Sequence, residues 1–213
     1  RTPGEGVDIN LTEGEGKAEG LTDTIEEIEN VIGSNFADTI TGDEKNNSLD
    51  GRKGNDTLYG KAGNDTLKGG DGNDTLNGGK GNDYLYGEDG ENTASFEGAG
   101  GGVSVKLQKE DESFGTAKDV TDGNEHIGND KLFNIDNIIG TSNADIFAGN
   151  KEDNTIDGGI GEDTIDFSEV TDANIVVKLD ENYSDGTSSG YDRLYNIENI
   201  KGTDIANLSD TLY

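Results

Sequence analysis

Residues 51–87 read GRKGNDTLYGKAGNDTLKGGDGNDTLNGGKGNDYLYG, so that Gly-Asn-Asp returns four times at intervals of nine residues. A strict short period constrains a fold strongly, because each repeat must present the same faces and stack on its neighbours. The beat runs from Gly33 through Gly42, Gly51, Gly60, Gly69, Gly78 and Gly87 to Ser95, seven units in register. Position six reads Asp38, Asn47, Asp56, Asp65, Asp74, Asp83 and Asn92, and position eight reads Ile40, Leu49, Leu58, Leu67, Leu76, Leu85 and Ala94. The centre is regular and both ends are degenerate, as capping units are expected to be.

A shorter array starts at Gly140 and continues at Gly149 and Gly158, with Asp145, Asn154 and Asp163 at position six. A longer repeat frames both arrays. GVDINL (6–11), GVSVKL (102–107) and NIVVKL (174–179) alternate apolar and polar residues, the pattern of strands. They are followed by IEEIENVIGS (25–34), LFNIDNIIGT (132–141) and LYNIENIKGT (194–203). This divides the chain into a first module at 1–95, a second at 96–170 and the opening of a third at 171–213. The third stops at SDTLY, where a new array is due, so the chain is expected to be cut within a module.

Each nonapeptide is expected to split into a six-residue turn and a three-residue strand. In GGDGNDTLN (69–77) the glycines supply positive-φ conformations, and TLN runs extended with Leu76 facing opposite to Thr75 and Asn77. Two units make one coil, and coils stack about 4.8 Å apart. Residues 18 apart then lie above one another, Asp56 under Asp74 and Asp65 under Asp83. Bare carboxylates about 5 Å apart repel, so a hard cation is expected between them, in an all-oxygen cage completed by turn carbonyls. Flexible cages of about six to eight oxygens suit Ca²⁺ better than Mg²⁺. Zinc wants histidine or cysteine, and the chain has one histidine and no cysteine.

Composition points the same way. Hydrophobic residues make up 29% and the formal net charge is −30, which by itself predicts disorder. A folded state needs something cationic to enter. Acidic residues (46) outnumber basic ones (16), which disfavours nucleic acid and anionic membrane as partners. No apolar run approaches the roughly 20 residues of a membrane span, so no membrane insertion is expected. The absence of cysteine removes disulfides and thiolate metal sites. Methionine is also absent and no signal peptide is visible, as in a fragment or processed segment.

The pattern G-G-x-G-x-D-x-U-x resembles the RTX (repeats-in-toxin) calcium-binding nonapeptide family over roughly 33–95 and 140–166. The framing NIEN-x-IG segments also resemble those flanking RTX arrays in large secreted bacterial proteins. The resemblance implies an all-β fold, a right-handed parallel β-roll with Ca²⁺ in rows along both edges, about four to seven ions. It implies ligand sets in which carbonyls at positions one and three and the position-six Asp face the carbonyls at positions two and four and the Asp of the turn 18 residues on. Gly51, Lys53 and Asp56 then face Gly70, Gly72 and Asp74, and Gly60, Ala62 and Asp65 face Gly79, Gly81 and Asp83. By the same rule Gly33, Asn35 and Asp38 face Gly54 and Asp56, and Gly140, Ser142 and Asp145 face Gly159, Gly161 and Asp163. Gly63, Gly69 and Asp71 belong to the Asn-containing pairs 47/65 and 74/92, and Asp136 pairs with Asn154. Asn47, Asn92 and Asn154 offer a neutral oxygen, which implies weaker or empty sites; Lys45 and Glu152 replace the glycine of position four.

Other readings fit less well. A flexible Gly/Asn/Asp linker does not explain the spacing, no stretch meets the EF-hand pattern, and no H-E-x-x-H or G-x-S-x-G occurs. The carboxylates imitate a glycosidase pair only in number. His126, in DGNEHIGND, reads as a solvated loop residue within an insertion. Tyr59, Tyr84 and Tyr86 sit at outward positions, as β-formers or as a sugar-stacking patch. Ice binding would need two regular Thr columns, and position nine (Thr41, Asp50, Tyr59, Lys68, Asn77, Tyr86, Ser95) breaks the second. The expected function is a non-catalytic, calcium-folded structural module of an adhesin or surface-layer protein. It would be extracellular or at the cell surface of a Gram-negative bacterium, exported by type I secretion. Its partners would be calcium, neighbouring modules and a cell-surface glycan. The alternative is an accessory domain of an exoenzyme, such as a polysaccharide-modifying enzyme or metalloprotease.

Overall fold

The computed structural model describes residues 5–18, 21–108, 113–120, 126–169, 175–178, 183–186, 192–202 and 211–212. Asn174 and Leu179 of NIVVKL, and most of SDTLY, lie outside the described residues. The described chain is all strand, in one sheet of thirteen strands and one of ten. Consecutive nonapeptides alternate between the sheets, which makes a parallel β-roll.

In one sheet Thr39–Thr41, Thr57–Ala62, Thr75–Lys80 and Thr93–Ser95 lie side by side and parallel. In the other, Asn30–Ile32, Ser48–Lys53, Thr66–Asp71 and Tyr84–Asp89 do the same. The register is 18 residues, as in Leu58↔Leu76 and Leu49↔Leu67. Position-eight side chains point inward, and Ile40, Leu49, Leu58, Leu67, Leu76 and Leu85 are 0% exposed. Each such burial contributes roughly 1.5–3 kcal/mol relative to exposure. The interior is this double ladder.

Central strands are longer than the three residues expected. Thr57–Ala62 spans six, because the ladder continues into the turn with Lys61↔Gly79 and Ala62↔Lys80 in register. Towards the ends of the stack, strands such as Thr39–Thr41 and Thr155–Asp157 stop at three residues.

The framing segments form three-stranded antiparallel meanders that splice one array to the next. In the second, Val103–Lys106 pairs with Gly115–Asp119, which pairs with Asn129–Phe133. Its last strand stacks on the preceding array, Leu85↔Leu132, and its first strand leads into the following one, Val105↔Phe147. In the other sheet Ala94↔Ile138 and Ile138↔Ile156 bridge the same splice directly. The first meander, Val7–Asn10, Glu15–Ala18 and Leu21–Thr24, likewise leads into the first array through Ile9↔Ile40. Its last strand has no preceding array beside it. Ile28 is 41% exposed, whereas its equivalents Ile135 and Ile197 are 3% and 8% exposed; Ile32 (72% exposed) points outward, as Lys201 does at the same place in the third segment.

Candidate metal centre

The stacked turns place the position-six side chains in two columns along the edges of the roll. Asp56, Asp65, Asp74, Asp83 and Asp163 are at most 1% exposed. Their Oδ1 atoms do not face the carboxylate of the next coil. In the array each accepts the backbone N–H of the position-six residue one coil earlier. In one column the Asp38 N–H donates to Asp56 at 2.8 Å and the Asp56 N–H to Asp74 at 2.8 Å. In the other the Asn47 N–H donates to Asp65 at 2.7 Å and the Asp65 N–H to Asp83 at 2.7 Å. Half of each carboxylate is thus committed to a side-chain-to-backbone ladder that repulsion arguments from sequence do not anticipate.

The other half is orphaned. Oδ2 of Asp56, Asp65, Asp74, Asp83 and Asp163 is buried with no hydrogen-bond partner. An ionised carboxylate oxygen in that state costs several kcal/mol unless a cation meets it. The position-one glycines show where it points. A Cβ on Gly51 would lie 2.2 Å from Asp56 Oδ2 and 2.8 Å from the carbonyl oxygen of Gly69, one coil on. On Gly60 it would meet Asp65 Oδ2 at 2.3 Å and the Gly78 carbonyl at 2.4 Å. A bare carboxylate oxygen and a carbonyl oxygen converge there with no donor between them, which is a cation's surroundings. Position one is glycine for space. Positive φ belongs to positions two and four, at Arg52 (79°), Lys61 (82°), Gly70 (112°), Gly54 (128°) and Gly72 (142°).

Among the described residues no three His, Cys, Asp or Glu side chains converge on one point. Backbone carbonyls must therefore supply much of any coordination shell, which favours a hard, flexible-geometry ion such as Ca²⁺ over zinc. Some carbonyls assigned from the sequence are already engaged: that of Asp71 accepts the Gly54 N–H at 2.9 Å.

Burial raises the carboxyl pKa values, and the backbone N–H each accepts pulls them partly back. Asp56, Asp83 and Asp163 are pushed up to about 6 and Asp65 to about 7. Asp74 and Asp145 move up for the same reason.

Asp38 and Asp145 have different surroundings. Asp38 accepts from the N–H of Val7 (2.6 Å) and Ser34 (2.5 Å) and from the Ser34 hydroxyl (2.8 Å). Asp145 accepts from the N–H of Val103 and Thr141 (both 2.7 Å) and from the Thr141 hydroxyl (3.0 Å). Protein donors satisfy these two carboxylates, one at the head of each array. In the Asn92 turn the amide nitrogen stands over position-one Gly87, where an ion would, and donates to the Asn134 carbonyl at 3.4 Å. In the Asn47 and Asn154 turns Oδ1 lies over Gly42 and Gly149 and accepts the N–H of Asp43 (2.8 Å) and Asn150 (3.0 Å), while Asn154 Nδ2 donates back to the Asp136 carbonyl at 2.8 Å. Asp136 itself accepts the Asn92 N–H at 2.7 Å.

Besides Asp136, three residues outside the arrays accept a position-six N–H, among them Glu198, which takes that of Asp163 at 2.8 Å. Asp130 (3% exposed) accepts the Asp83 N–H at 2.9 Å, and Asp192 (0% exposed) accepts that of Asn154 at 3.1 Å. The signal was legible: GNDKLF (128–133) is a fifth Gly-Asn-Asp, offset by the insertion. His126 is half-buried, with its ring against Gly100 and Gly101. Tyr84 and Tyr86 stack with Phe133, the Tyr86–Phe133 centroids 4.4 Å apart, while Tyr59 lies on the other sheet.

Residues 32–67, 59–94 and 136–172 match the family described as RTX calcium-binding nonapeptide repeat (4 copies). The curated proteins give no match to the chain.

Proposed function

We propose that this chain, whose two arrays are RTX calcium-binding nonapeptide repeats, is a calcium-folded structural module of a secreted or surface-attached bacterial protein, of the adhesin or surface-layer type. One observation carries the calcium reading to particular residues: the buried, partnerless Oδ2 atoms recur in register along the roll. The ions are assigned to the gaps at Asp56, Asp65, Asp74, Asp83 and Asp163, with Asp38 and Asp145 serving as acceptors that start each column. The physics suits export in an unfolded state. At low calcium a charge of −30 keeps the chain open, and millimolar calcium outside the cell folds it.

The unit of construction is a meander followed by an array, with 1–95, 96–170 and the segment from 171 as successive units. The exposed Ile28 supports neighbouring modules as partners, since its equivalents Ile135 and Ile197 further along the chain are buried. A stiff spacer follows from such splicing. Small-angle scattering of a tandem fusion of two copies in calcium tests it: the long dimension should nearly double, and a compact particle would refute the spacer reading. The second reading, an accessory domain of an exoenzyme, is supported by the stacked Tyr84, Tyr86 and Phe133, a ring surface suited to sugar faces. Retention of the chain on immobilised polysaccharide, lost in Tyr86→Ala, would favour that class.

A further inference from the structure

We propose that Asp130 and Asp83 hold a calcium ion between them, so that the second meander is fastened to the first array by a metal site whose second carboxylate comes from outside both arrays. The proposal rests on the calcium reading above. Asp130 lies outside the residues matched by the repeat family and 47 residues after Asp83, where array partners are 18 apart. Its turn nevertheless reproduces the contacts of an array coil. The Asp130 carboxylate accepts the Asp83 N–H as Asp83 accepts that of Asp65. Asn129 N–H donates to Asn82 Oδ1 at 2.9 Å, as Asn82 N–H donates to Asn64 Oδ1 at 2.8 Å. Lys131 N–H donates to the Asp83 carbonyl at 2.9 Å, as Tyr84 N–H does to that of Asp65. Gly128 has a φ of +75°, and a Cβ there would stand 2.2 Å from the Gly81 carbonyl, the contact that Gly81 makes with Gly63.

The second observation is Asp83 Oδ2. It belongs to a side chain 0% exposed and has no partner. It lies over Gly78, where a Cβ would come within 2.2 Å, as Asp65 Oδ2 lies over Gly60 on the side of the following coil. For Asp83 the following coil is the turn that carries Asp130. The gap therefore has two buried carboxylates and one orphaned oxygen. A divalent ion there closes a loop of 47 residues, and it makes docking of the meander depend on calcium as the arrays do.

Counting ions per chain by equilibrium dialysis at saturating calcium tests this, with far-UV circular dichroism as the check on folding. Asp130→Asn keeps the acceptor for the Asp83 N–H, as Asn92 Oδ1 already accepts that of Asp74 at 3.1 Å. It removes the charge. We expect one ion fewer and a calcium midpoint raised at least about tenfold at that site, since a direct ligand matters no less than an outer-shell one. Asp130→Glu keeps the charge and should keep the ion, whereas a residue needed only as a neutral acceptor would tolerate Asn better than Glu. Asp74→Asn is the control within the array and should also lose an ion. If Asp74→Asn loses one and Asp130→Asn does not, the junction site is refuted and the calcium reading stands. If neither loses one, the assignment of ions to these carboxylates fails as a whole.

Discussion

A single position-six aspartate does two jobs with its two oxygens, and the consequences appear on substitution and on titration. Oδ1 belongs to the backbone ladder and Oδ2 to a gap without donors. Because the position-one glycine borders that gap, Gly51→Ala should overpack it, costing about 1–3 kcal/mol and displacing Asp56. At Gly98 (φ +85°) nothing lies within 4 Å of an added Cβ, so Gly98→Ala carries only the left-handed backbone cost of about 1–2 kcal/mol. Urea midpoints in saturating calcium should rank Gly51→Ala below Gly98→Ala, and the reverse order would contradict the gap geometry. Titration follows from the same burial. Without metal the folded roll holds protons on Asp56, Asp83 and Asp163 up to about pH 6 and on Asp65 up to about 7, whereas ordinary aspartate releases them near 3.8. Raised pKa values add stability that is full below about pH 4 and lost as pH rises through 6 to 7. Metal-free protein should therefore gain β signal on acidification from pH 7.5 to 4.5. A metal-free spectrum that loses structure over that range would show that these carboxyls are not buried as described.

At the scale of the element, the turn is the variable part and the strand the constant one. In the first array, where position four is Gly54, Gly63, Gly72, Gly81 or Gly90, turns bend through positive φ and the ladder continues into them. Where it is Phe36, Lys45, Asn143 or Glu152, side chains close the turn instead, as when Asp43 Oδ1 accepts the Lys45 N–H at 2.9 Å. Cages built from such pliable turns, with carbonyls supplying much of the shell, suit an ion of irregular coordination. Magnesium, which demands near-octahedral geometry and keeps its waters, should fail to fold the protein at concentrations where calcium succeeds. Equal folding midpoints in the two ions would overturn that account. Strands answer to packing alone. Leu67→Ala, in the 0% exposed ladder, should cost about 2–5 kcal/mol, and Ile146→Ala, 37% exposed, much less, as denaturant melts in calcium would show.

The whole molecule is a one-dimensional stack with too little apolar surface for its charge. Its interior is one residue wide in each strand, and −30 of charge opposes compaction. Calcium binding is then expected to supply much of the folding free energy, and the fold should be conditional on it. In EDTA the chain should show a coil-like far-UV spectrum and a radius of gyration approaching roughly 50 Å, the unfolded-chain scaling for its length. Millimolar calcium should restore β structure cooperatively, because coupling runs only between neighbouring coils. A β spectrum that persists in EDTA would remove calcium from the folding balance.

The nine-residue period by itself determined the stacked coils, the inward leucines, the 18-residue register and the columns in which the position-six carboxylates are buried. These are local consequences of a repeat, and a repeat is visible in one dimension. What each carboxylate oxygen touches was decided only in three dimensions. Asp38 and Asp56 look alike in sequence, yet a meander strand gives Asp38 the N–H of Val7 and Ser34 supplies the rest, while Asp56 keeps a bare oxygen. Asp130 shows the converse. It falls out of register by an insertion, and the antiparallel meander returns it to the column over Asp83. Stacking depends on where a chain returns, and the length of an excursion says nothing of that. The antiparallel pairing of Gly115–Asp119 with its two neighbours settles it.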